Sequence, residues 1–208
     1  MKHKRFARLL SMLLVVVTMF GVMSLPANAA SLNDSGTVTI QQAGYGKYLT
    51  KSSGGTIGGA AADKANKAKN GGGVGVYNSA EFTMNGGTIT ENRFTNQYSG
   101  AVVLNNGTMN MTDGCITANT AAADNASAGV LVKEGSVFTM DGGTISDGTG
   151  TRGAGVLVGL PGGVYNESTA ARFVMNDGTI SGNTANATTA TVNAGGGGVF
   201  VQDNAEFT

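Results

Sequence analysis

The sequence predicts an all-β chain wound as a parallel β-helix, with three short strands per coil and about four coils plus a partial fifth. Three observations predict it. A Val-x-Val-like triplet recurs five times, at Val74–Val76, Val102–Leu104, Val130–Val132, Val156–Val158 and Val199–Val201. Four copies are followed by a Met-x-x-Gly-(Thr/Cys)-Ile segment, at Met84–Ile89, Met111–Ile116, Met140–Ile145 and Met175–Ile180. The Met-to-Ile separation is 5 in each of these, whereas the steps from one first Val to the next are 28, 28, 26 and 43. A fixed corner with variable connections is the mark of stacked units carrying loops on selected faces.

The elements follow in chain order. Residues 1–30 read as a signal peptide. Lys2, Lys4, Arg5 and Arg8 form a basic start, Leu9 to Leu25 is apolar, and Ala27-Asn28-Ala29 is an A-x-A site with cleavage expected after Ala29 or Ala30. No other stretch is apolar for long enough to span a bilayer, so no membrane span is expected after cleavage. Four of the 13 basic residues leave with the signal, so the exported part carries 13 − 4 = 9 basic against 13 acidic residues. A nucleic-acid partner would call for a basic patch and is not expected. His3 is the single histidine and leaves as well, which excludes histidine-based triads and histidine metal sites. Cys115 is the single cysteine, so no intrachain disulfide forms. No cofactor and no metal site is expected.

Residues 31–70 read as a capping segment for the first coil, with a strand at Thr37–Ile40 and a continuation near Tyr45–Leu49. Lys64, Lys67 and Lys69 lie in a short helix or solvated linker. The repeats occupy 71–208. In the first copy Val74-Gly75-Val76, Phe82-Thr83-Met84 and Thr88-Ile89-Thr90 each alternate with period 2 and read as three strands. Asn85-Gly86-Gly87 between the last two suits a turn requiring positive φ. Identical side chains recur at identical positions, as stacking requires: Met84, Met111, Met140 and Met175, then Ile89, Ile116, Ile145 and Ile180, all expected inside. Asn92, Asn119 and Asn183 sit three residues after Ile, with Gly148 in the remaining copy. Stacked amides of this kind bond up and down a column, and a structural ladder is the expected role. The chain stops at Thr208, where a fifth Met would follow, so further repeats or an anchor are expected beyond it.

Gly71-Gly72-Gly73-Val74 with Ile89-Thr90-Glu91-Asn92, and Ile180 to Ala185 with Gly196-Gly197-Gly198-Val199, resemble the repeats of right-handed parallel β-helix surface proteins. These include bacterial adhesin-like proteins, polymorphic outer-membrane proteins and pectate-lyase-like solenoids. The resemblance covers about 71–208 and implies a right-handed coil on a secreted, bacterial cell-surface protein. It implies a stalk or adhesin-like module that presents loops to a glycan or to a host or cell-surface protein. The alternative that it implies is a carbohydrate-active enzyme, a polysaccharide lyase or hydrolase.

The connections are the places to bind a partner, since loops on a rigid scaffold carry binding. The largest insertion, Gly159 to Ala171, holds Tyr165, Asn166 and Glu167, which are suited to a sugar ring. Arg93 to Tyr98 and Thr184 to Ala194 are further mobile candidates. For a lyase, Asp113, Asp141 and Asp177 would supply carboxylates and Arg152 or Arg172 the base. Each Asp sits in an Asp-Gly turn that explains it without a metal, so no catalytic residue is assigned. Thr83, Thr112 and Thr139 are expected to share a column that Val174 breaks, which leaves no sustained Thr-x-Thr array for ordering water.

Overall fold

The computed structural model describes residues 29–32, 48–51, 55–59, 66, 72–160, 167–186, 195–202 and 204–208. Residues 1–28 of the expected signal peptide, the Thr37–Ile40 strand and the Lys64–Lys69 stretch (apart from Asn66) lie outside the described residues.

Among the described residues there is no helix, and seventeen strands fall into three sheets in which every pair is parallel. With strands numbered along the chain, the five-stranded sheet contains the Val-x-Val segments. It runs β16 (Val199–Val201), β13 (Val156–Val158), β10 (Val130–Val132), β7 (Val102–Asn105), β4 (Val74–Tyr77). The long-strand sheet contains β5 (Glu81–Thr90), β8 (Thr108–Thr117), β11 (Val137–Ser146), β14 (Ala171–Ser181) and β17 (Ala205–Phe207). Beside β5 lie β2 (Tyr48–Lys51) and β3 (Thr56–Gly58), and β1 (Ala29–Leu32) pairs with β2. The third sheet is built from two-residue strands, β6 (Arg93–Phe94), β9 (Thr120–Ala121), β12 (Thr149–Gly150) and β15 (Thr184–Ala185). Successive copies pair at equivalent positions throughout, an arrangement compatible with a β-helix solenoid.

The strand division within a copy differs from the expected one. Phe82–Met84 and Thr88–Ile89–Thr90 are two halves of one strand, β5, and the same holds in β8, β11 and β14. The turn expected between them is a bulge, where the register shifts after Met84 and again before Thr88. The cause lies in the fourth residue of each Met-x-x-Gly segment. Gly87, Gly114, Gly143 and Gly178 have φ of 76, 104, 84 and 105°, which a glycine adopts without strain. A Cβ on Gly143 would also lie 2.6 Å from Met111 Cε and 2.7 Å from the Gly114 carbonyl oxygen. The methionine of one copy thus packs its methyl on the glycine of the next, which explains why the two residues recur together.

The interior follows from these registers. Met84, Met111, Met140 and Met175 are partners in turn along the long-strand sheet, as are Ile89, Ile116, Ile145 and Ile180. All are buried except Met175 and Ile180, which are partly exposed in the fourth copy. Phe82, Met109, Phe138, Phe173 and Phe207 form another column. Phe138 and Phe173 stack at 4.8 Å and Phe173 and Phe207 at 5.0 Å, close to the strand spacing of about 4.8 Å. In the last copy the inward column members Val201 and Phe207 are 37% and 45% exposed.

A second apolar cluster lies outside that interior. Val103, Leu131 and Leu157 are the middle residues of their triplets, so they face away from the main core, yet they are fully buried. Tyr98, Leu160 and Phe200 pack against them. The turns that enter the five-stranded sheet stack on one another to form the cover. Tyr98 N–H donates to Asn125 O, Ser127 N–H to Ser99 O, and Ser127 Oγ to Gly153 O at 2.7 Å. Arg93 to Tyr98, expected to be mobile, therefore contains strand β6, the buried Phe94 and part of this cover. A turn that buries apolar surface and bonds to its copy above is fixed by the stack.

Candidate functional site

Three places carry candidate chemistry: the asparagine column, the bulge corner of the long-strand sheet, and the root of the insertion. The column is a hydrogen-bonded ladder. Asn92 Nδ2 and its backbone N–H both donate to Asn119 Oδ1 at 2.9 Å. Asn119 Nδ2 donates back to Ile89 O and across to Thr117 O at 3.0 Å. Asn183 Nδ2 repeats this with Ile145 O and Ser181 O, while its Oδ1 accepts the Gly148 N–H. Asn66 extends the ladder at the other end, donating to Asn92 Oδ1 at 2.9 Å. Asn92 and Asn119 are fully enclosed, and these bonds satisfy backbone carbonyls where each copy bends. The residues just before the column, Glu91, Ala118, Asp147 and Gly182, all have φ near 54–64°.

At the bulge corner the carboxylates are used locally. Asp113 Oδ1 and Asp177 Oδ1 accept the N–H of Gly114 and Gly178 at 2.7 Å. Asp141 Oδ1 accepts from Asn176 Nδ2 at 2.7 Å. The bulge absorbs the one-residue offset of Asp141, which pairs in register with Asp177, whereas Asp113 pairs with Asn85. Among the described residues no group of three or more His, Cys, Asp or Glu side chains could hold a metal ion. Arg152 lies over the Phe200 ring at 5.8 Å. Arg172 reaches Glu206 at 3.4 Å and the carbonyl of Glu167 at 3.1 Å. The structure thus does not bring the candidate bases onto the aspartate corner.

The threonine expectation is corrected at the same sheet. Thr83, Asn110, Thr139 and Val174 share one column, and Thr112 lies elsewhere, bonded to Asn85 Oδ1 at 2.8 Å. Hydroxyl columns do stack one half-strand further on, one of them interrupted by Cys115. Thr88, Cys115, Thr144 and Thr179 form one column and Thr90, Thr117, Ser146 and Ser181 the next. The sequence signal is the (Thr/Cys)-Ile-(Thr/Ser) run inside the repeat, whose flanking residues stack when the Ile residues do.

Within the insertion the described residues end at Leu160 and resume at Glu167. Tyr165 and Asn166 lie outside the described residues, and Glu167 is exposed in a turn. Likewise 187–194, most of the third mobile candidate, lie outside, while Thr184 and Ala185 form β15. The root is braced. Gly135 N–H donates to Thr169 O at 2.7 Å, and Gly159 N–H to Val132 O at 2.8 Å. Asn204 of the fifth copy donates to Glu134 of the third, across Gly159 of the fourth. No repeat position points to this bond, whose partners lie 70 residues apart.

Comparison with protein-family models, with curated proteins and with solved structures returned no match.

Proposed function

We propose that the chain is a secreted, cell-surface module: a single-stranded right-handed parallel β-helix that serves as a stalk and presents loops to a glycan or protein partner. One observation supports this reading above others. The insertion joins two strands of the fourth copy, β13 and β14, that both stay in register with the third, and both of its described ends are tied to the third copy by Gly135–Thr169 and Gly159–Val132 bonds. A rigid scaffold that holds a loop at fixed ends lowers the ordering cost of binding. The right hand rests on the resemblance of the Gly-Gly-Gly-Val and Ile-x-x-Asn segments to surface-protein repeats.

The test is binding of the exported chain to a glycan array and to intact cells, beside a variant in which 161–166 are replaced by a short Gly-Ser linker. Binding that is lost in the variant, with an unchanged melting temperature and no release of product, supports display. Depolymerisation of a uronate polymer that disappears in Asp141→Ala or Arg152→Ala would instead make the chain a carbohydrate-active enzyme.

A further inference from the structure

We draw no further inference here: the strongest candidate, the open end of the stack where Val201 and Phe207 are exposed beside the partly buried Met175 and Ile180, is an apolar face at which nothing in the structure shows what covers it.

Discussion

Replacing Asn119 by alanine removes one rung of the amide ladder and leaves the rest of its copy intact. Four hydrogen bonds go with the side chain: two accepted from Asn92 and two donated, to Ile89 O and Thr117 O. Asn92 Nδ2 keeps its bond to Ile57 O, but the buried Asn92 N–H loses the acceptor it has in Asn119. Leaving such a donor unmade costs about 1–3 kcal/mol, and each of the other bonds is worth about 0.5–1 kcal/mol net. The sum is about 2.5–6 kcal/mol, a large share of the roughly 5–15 kcal/mol that holds a domain folded. Urea unfolding followed by circular dichroism, with hydrogen exchange at the Asn92 amide, measures it. Asn183→Ala is the control, because Asn183 is only partly buried and should cost less. A loss below about 1 kcal/mol for Asn119→Ala would refute the argument that these amides carry the bends of the coil.

Three further outcomes follow from the same structure. Gly143→Ala should destabilise by about 2–5 kcal/mol, from a left-handed backbone and a Cβ driven against Met111 Cε and the Gly114 carbonyl; thermal melting checks this. Leu131→Ala, in the outer cluster, should cost about 2–5 kcal/mol although it faces away from the main core, and a near-neutral result in urea unfolding would mean that the cover is open in solution. Burial raises the Tyr77 pKa, so its contribution to stability is fully present below the ordinary tyrosine range and is lost as pH rises through the folded value. Tyr77→Phe should therefore weaken the alkaline fall in melting temperature.

How much was legible in the sequence can be argued residue by residue. The Met and Ile columns were readable because Met and Ile stand 5 apart in every copy, and in-register stacking leaves them no other arrangement. The asparagine ladder was readable for the same reason, but Asn66, which sits outside the repeat, was not. The third sheet escaped because two-residue strands such as Thr120–Ala121 are too short to show a period. The outer cluster escaped because alternation sends the middle residue of a Val-x-Val triplet toward solvent. The sign against that was in view, since Val103, Leu131, Leu157 and Phe200 are large and apolar where a solvated face would be polar. Asp-Gly and Asn-Gly mark turns and bulges alike, and only the register of the paired strands separates the two. At the insertion the scaffold was legible as a break in spacing, but the brace between Glu134 and Asn204 depends on closure in three dimensions.

Cysteine pairing tests most directly whether each repeat lies in register on the next. Cys115 is exposed and free, and its partner in the adjacent strand is Thr144. Adjacent strands lie about 4.8 Å apart, within the span of about 4.4–6.8 Å that a disulfide bridges, and Thr179 is one strand further on. Mild oxidation of Thr144→Cys should give an intramolecular disulfide with Cys115, and Thr179→Cys should stay reduced. Efficient closure in Thr179→Cys, or none in Thr144→Cys, would contradict the stack.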